Sequence, residues 1–272
     1  MKVIGLEDRM KMLEMIECKR IFVPLLPICI RLDGKCFHNF TRGLNRPYDK
    51  DLTDLMIETT KYLVNKTGAI IGYTQSDEIS LILFSDDYRS QVFFNGRIQK
   101  IVSVLASMTT AFFNKNLSKY LPKKMDELPM FDCRAWQVPN KTEAINNLVW
   151  RELDASKNSV SMAAQYYFSH KELQNKSCNE MQEMLFRYKS INWNDYPSSF
   201  KRGTYVKRVK SVRKFTMDEI ENLPEKHEAR FNLDLTVERS DVIVCGLPPI
   251  TKIKNRVEFI FYDAEIEIKD GE

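Results

Sequence analysis

Apolar positions along the chain change their spacing several times, and each change marks an element. Residues 6–18 alternate charged and apolar positions at helical spacing and predict an amphipathic helix. "VPLLPICIRLDG" follows as a buried strand that ends at Asp33-Gly34, with Pro24 and Pro27 confining its regular part to about Ile28–Leu32. Lys50–Asn65 returns to helical spacing. Leu52, Leu55, Met56, Thr59, Tyr62 and Leu63 share one face, and Gly68 lies just beyond the end. Ala69–Tyr73 and Ile79–Phe84 read as two strands joined by the short turn "TQSDE", a hairpin. Residues 95–114 predict another helix with Ile98, Ile101, Val102, Leu105, Met108 and Phe112 inward. A proline-bounded linker, Leu121–Pro129, then leads to the strand "MFDCRAWQV".

The order strand, helix, strand, strand, helix, strand is the split-βαβ, ferredoxin-like pattern of an α+β fold. Near residue 140 the character changes. Helical spacing dominates to about Lys189, residues 200–212 ("FKRGTYVKRVKSV") read as a basic strand, and Phe215–Lys226 reads as a short helix. "DVIVCGL" and "RVEFIFYDAEIEI" read as further strands. The expected organisation is a catalytic palm over 1–140 packed against a C-terminal region, 141–272, that is mainly helical with additional strands. No repeat or low-complexity tract interrupts either part.

Composition changes this picture little. The 272 residues are 43% hydrophobic with a net charge of +4, which fits a globular chain and does not by itself indicate a nucleic-acid binder. No run is long enough to span a membrane, and the N-terminus lacks the apolar core of a signal peptide, so a cytosolic chain is expected and an organellar one is left open. The six cysteines are scattered without a C-x-x-C, which fits free thiols.

The candidate chemistry lies in "YTQSDEISLILF". In a split-βαβ sheet the first two strands run parallel with the third between them. The end of strand one therefore lies beside the turn joining strands two and three. Asp33 ends strand one and Asp77 sits in that turn, so the fold brings together two carboxylates distant in sequence. Alone, each is ordinary turn chemistry. Together they suit magnesium, which takes one or two carboxylates plus substrate phosphates. Gly34 permits close approach of backbone to metal or phosphate. Two such ions can activate an attacking oxygen and neutralise a leaving pyrophosphate.

At these residues the chain resembles the tRNA-histidine guanylyltransferase superfamily, the 3′–5′ polymerases. Arg31-x-Asp33-Gly34-Lys35-x-Phe37-His38 followed by Ser76-Asp77-Glu78 carries the likeness. Arg46-Pro47-x-Asp49 is similar to the family's Lys-Pro-Asn-Asp loop and Phe131-Asp132-Cys133-Arg134 to its Phe-Asp-x-Arg strand. Trp150-Arg151 is similar to its Trp-Arg helix and Lys201-Arg202-Gly203-Thr204 to its Arg-Lys-Gly-Thr segment. The likeness spans about residues 5–210. It implies a polymerase-like palm in which Asp33, Asp77 and the carbonyl of Gly34 hold two magnesium ions. Glu78 supports them or joins them. Lys35, Cys36, Phe37, His38, Arg46 and Ser76 would contact the nucleotide. It further implies ATP and GTP or other nucleoside triphosphates as substrates, adenylylation of 5′-monophosphate ends by ATP, tRNA as partner, and a homotetramer.

One departure bears on substrate. Members dedicated to histidine tRNA carry a His-Ile-Asn-Asn-Leu-Tyr-Asn run after the Trp-Arg, and here the place reads Ser156-Lys157-Asn158-Ser159-Val160-Ser161-Met162. Lys35 also stands where Arg is usual. This resembles the branch that repairs tRNA 5′ ends by copying the opposite strand of the acceptor stem.

Further cations are expected along the RNA path. Arg97 and Lys100 share a helix face, a solvated one by itself, which the resemblance turns toward the triphosphate and the RNA 5′ end. Arg134, Arg151, Lys157 and Asn158 join them. In the basic strand, Lys201 and Lys207 would share one face, with Arg202, Arg208 and Lys210 on the other; phosphate contacts there position RNA without reading its sequence. His38 reads as a triphosphate contact or a structural residue. Trp136, Trp150 and Trp193 read as core or interface anchors. The rivals to a 3′–5′ polymerase are a dedicated histidine-tRNA guanylyltransferase, a nucleotide cyclase on the same palm, and a non-catalytic RNA-binding module.

Overall fold

A computed structural model describes residues 5–269. The elements in chain order are α1 (Leu6–Cys18), β1 (Ile28–Gly34), α2 (Phe37–Phe40), α3 (Lys50–Thr67), β2 (Ile71–Gln75), β3 (Glu78–Leu83), α4 (Ile98–Tyr120), β4 (Phe131–Gln137) and α5 (Lys141–Tyr167). They continue with α6 (His170–Leu173), α7 (Cys178–Lys189), α8 (Ser198–Arg202), β5 (Thr204–Lys214), α9 (Met217–Glu221), β6 (Thr236–Cys245) and α10 (Arg256–Tyr262). Among the described residues the strands form one sheet in the order β4-β1-β3-β2-β5-β6, with each neighbouring pair antiparallel. Since β3 lies between β1 and β2, those two run parallel, as the split-βαβ pattern requires. The mixture of helix and antiparallel sheet is the expected α+β class.

Alternation sorts the strand residues onto two faces. Ile28, Ile30 and Leu32 of β1 with Ile79, Leu81 and Leu83 of β3 pack beneath α3 and α4. Each such fully buried side chain contributes about 2 kcal/mol. In α3 the face includes three threonines, Thr59, Thr60 and Thr67, buried because each hydroxyl donates to the carbonyl four residues back. In α4 the buried stripe is Ile101, Leu105, Thr109, Phe113 and Leu117. The expected Ile101 and Leu105 lie in this stripe, whereas Val102, Met108 and Phe112 are half-buried at its flanks, since the stripe steps by four residues through Thr109 to Phe113.

The opposite face is only half covered. Cys29, Ile71, Tyr73 and Ile82 meet Ala144, Ile145, Leu148 and Ala155 of α5. Beyond them the sheet surface becomes polar and open. Here Arg31, Asp33, Glu78, Asp132 and Arg134 stand in register across β3, β1 and β4.

The C-terminal region joins this sheet through β5, which pairs with β2 from Thr204 to Lys207. Two buried charges fasten it further. Glu152 of α5 accepts hydrogen bonds from Tyr205 Oη and the Ile250 amide, both 2.9 Å. Lys207 forms an ion pair with Asp263, just past α10. Three expectations are corrected here. Lys201 and Arg202 lie on α8 rather than on a strand that begins at residue 200. Gly203 (φ +79°) makes the break because a Cβ there would stand 2.6 Å from the Thr74 carbonyl. "RVEFIFY" is helix α10, because its apolar spacing covers one side of α5. Finally α1 forms as predicted, yet none of its residues is buried.

Candidate active site

Asp33 and Asp77 meet where the hairpin turn passes the end of β1. Backbone register does the placing, since Asp33 pairs with Glu78 across β3 and with Asp132 across β4. Ser76 makes the turn tight with a left-handed φ of 55°. Its Oγ donates to Asp77 Oδ1 at 3.0 Å. Burial pushes the Asp77 carboxyl above its ordinary range, and the Asp33 charge pushes the same way while the Ser76 hydrogen bond opposes. A site that disfavours its own negative charge in this manner gains from a cation.

The two carboxylates line a cleft of about 430 Å³ with Gly34, Cys36, His38, Arg46, Tyr48 and Ser76. That volume suits a nucleotide-sized ligand. Its walls come from local chemistry. Gly34 must lack a Cβ because one would lie 2.2 Å from the ring of Phe37. Asp49 caps α3 by accepting from the Leu52 amide at 3.0 Å, and its other oxygen takes the amide and side chain of Asn45. This ties down the segment carrying Arg46. Tyr48 stacks on Phe200 at 4.9 Å and closes the far side.

Among the described residues, no three His, Cys, Asp or Glu side chains cluster at metal-binding geometry. Two carboxylates with a neighbouring carbonyl still fit magnesium, whose remaining ligands come from water and substrate phosphate.

Several expected residues have different surroundings from those foreseen. Phe37 is buried among Phe40, Phe113 and Phe131, so its ring supports the loop and leaves only backbone to face a nucleotide. Glu78 gives both oxygens to Arg151, Nε to Oε1 at 2.6 Å and Nη2 to Oε2 at 2.7 Å. Both side chains are engaged in this ion pair. Lys207 is 2% exposed and spent on Asp263. Arg208 donates to the carbonyls of Val64 and Asn65 at 3.0 and 2.8 Å, capping the end of α3. Lys201 hydrogen-bonds the Asn194 carbonyl and lies over Trp193.

Lys157 and Asn158 are exposed on α5. Arg97 and Lys100 line a separate groove between α1 and α4, together with Lys11 and Lys19. Arg134 stays at the carboxylates, with Nη2 3.7 Å from Asp33 and Nε 3.4 Å from Asp132. Sequence reasoning left Tyr48, Asn45 and Phe200 out of the cleft. The cap position of Asp49 could have pointed to Asn45, whereas Phe200 arrives only through tertiary packing.

The pattern of the family described as "Thg1: tRNAHis guanylyltransferase" matches residues 7–139. The tRNA(His) guanylyltransferase of Saccharomyces cerevisiae is 32% identical over 71% of this chain and 86% of its own. The chain belongs to the tRNAHis guanylyltransferase family. A bacterial Thg1-like protein in complex with ATP superposes with a TM-score of 0.71 at 41% identity, covering 75% of this chain and 88% of the other. A bacterial Thg1-like protein in complex with GTP gives 0.71 at 32% identity, over 94% and 99% of the two chains. The chain is thus a nucleotidyltransferase of this family, with the expected α+β fold. Among the described residues no helix is long and apolar enough to cross a membrane.

Proposed function

We propose that the protein adds nucleotides to the 5′ end of tRNA in the 3′–5′ direction, directed by the opposite strand of the acceptor stem. The observation that carries this reading is the meeting of Asp33 and Asp77 at the mouth of a nucleotide-sized cleft. Asp33, Asp77 and the Gly34 carbonyl would hold two magnesium ions, which when bound lower the pKa of an attacking hydroxyl and neutralise phosphate charge. Ser76 orients Asp77. Lys35, His38 and Arg46 border the triphosphate, and Glu78 acts through Arg151 by fixing α5 against the sheet. ATP adenylylates monophosphorylated ends with release of pyrophosphate, and the 3′-hydroxyl of the incoming nucleotide then attacks the activated 5′-phosphate and displaces AMP. Replacement of the histidine-tRNA motif by Ser156–Met162 supports end repair over dedicated guanosine addition. The resemblance also supports a homotetramer and a cytosolic or organellar setting.

The test is extension of a panel of tRNAs lacking their first nucleotide, with 5′-monophosphate or 5′-triphosphate ends, histidine tRNA among them. We expect templated addition to several tRNAs, dependent on magnesium and, for monophosphates, on ATP. Asp33→Ala and Asp77→Ala should each lower the rate about a hundredfold or more. Full addition by either variant would overturn the mechanism. Addition to histidine tRNA alone would favour the dedicated enzyme, and a cyclic nucleotide formed without RNA would favour a cyclase.

A further inference from the structure

Trp150 is not a core anchor. On α5 it is 52% exposed. An exposed indole is ordinarily free to move, but this one is braced. The Arg151 guanidinium carbon lies 4.7 Å from its ring centroid and that of Arg31 lies 5.8 Å away. Of the two cations, Arg151 is itself fixed by Glu78 and by Asp154 at 3.3 Å, and Arg31 extends from the middle of β1 with its Nε buried and without a hydrogen-bond partner. The ring is therefore oriented in advance, and the cost of ordering it falls on the fold rather than on a ligand.

Its position gives the arrangement a use. Arg31 is two residues from Asp33 on the same sheet face, about 7 Å along the strand. Arg134, the register partner of Arg31, reaches toward Asp33 and has a half-exposed side chain. Asp33 itself lines the nucleotide cleft, whereas Trp150, Arg31 and Arg134 do not. The carboxylates thus divide two surfaces. One is the nucleotide cleft, bounded by Tyr48 and Phe200. The other is the floor of β1 and β4, with an exposed indole at its border and, beside it, the half-exposed Arg134 guanidinium that pairs with Asp33 and Asp132. An aromatic face next to a cation is the pairing that holds a nucleic-acid base together with its phosphate.

We propose that Trp150 is a stacking platform for the terminal base at the 5′ end of the acceptor RNA, with Arg134 near the adjoining phosphate. The proposal rests on the reading that an RNA 5′ end is the acceptor. Stacking accepts every base, so it would suit an enzyme that extends ends of differing sequence.

The test uses acceptor-stem RNA with either an intact or an abasic 5′-terminal nucleotide, bound to the wild type, Trp150→Ala and Trp150→Phe. Intact RNA should bind Trp150→Ala about tenfold more weakly than wild type, and Trp150→Phe should recover to within about threefold. The abasic RNA should bind wild type as weakly as intact RNA binds Trp150→Ala, and should not distinguish the variants. In extension assays KM for RNA should rise in Trp150→Ala while KM for the nucleotide holds. Equal binding of intact and abasic RNA by wild type overturns the proposal, and this comparison stands even if a variant folds poorly. A change in sedimentation of Trp150→Ala without loss of base discrimination also overturns it, in favour of a protein contact. Failure of wild type to extend any RNA would instead count against the proposed function.

Discussion

Arg151 and Glu78 form a two-pronged ion pair, at 2.6 and 2.7 Å, that joins α5 to β3 one residue from Asp77. Both side chains are largely buried, at 13% and 15% exposure. Truncating one partner strands the other charge, so Arg151→Ala should lower stability by about 3 kcal/mol. Burial already raises the Glu78 carboxyl above its ordinary value, and Arg151 is the chief influence holding it down. A carboxylate whose folded value exceeds its unfolded one costs stability once ionised and is relieved as pH falls. The deficit of Arg151→Ala should therefore shrink on acidification from neutral pH through the raised carboxylate range. Urea unfolding of variant and wild type across pH reads this directly, and a deficit that grew would contradict it.

Asp77 should titrate above an ordinary aspartate, chiefly through burial. Asp33→Asn removes a like charge and should shift the Asp77 titration downward. Ser76→Ala deletes a hydrogen bond to the ionised form and should shift it upward. Carboxyl-carbon NMR of the metal-free protein measures both directions. Protons compete with a cation for this group, so magnesium affinity should weaken as pH falls through the same range, as isothermal titration can check.

Gly34 leaves no room for a methyl against Phe37. Gly34→Ala should cost about 2 kcal/mol by overpacking, seen as a lower melting temperature. Phe37→Ala should cost about 3 kcal/mol or more through the cavity opened among Phe40, Phe113 and Phe131. Unchanged melting in both variants would show that the loop is not held by this packing.

Lys207 and Arg208 serve the fold. Asp263→Asn leaves the Lys207 ammonium buried without its counter-charge and should destabilise by about 3 kcal/mol. Lys207→Met, which removes the charge and keeps the stem, should cost less and leave tRNA affinity within about twofold, since a buried cation releases no counterions from RNA. A drop in the salt slope of RNA binding for Lys207→Met would return this residue to the RNA surface.

The sequence by itself determined the split-βαβ order and hence the meeting of Asp33 with Asp77. Strand pairing in that order leaves only one place for the turn after β2, and the side-chain period of two puts Asp33, Glu78 and Asp132 on one face. The end of α3 was legible for the same local reason, at Gly68. Only the tertiary structure decided which charges work at the surface. Lys207 and Lys210 look alike in a basic strand, yet β2 and the segment after α10 enclose the first and leave the second exposed. Likewise Trp150 and Trp136 are both tryptophans beside apolar neighbours. One belongs to the packed half of the sheet face and the other borders its open half, a difference set by where α5 stops covering the strands.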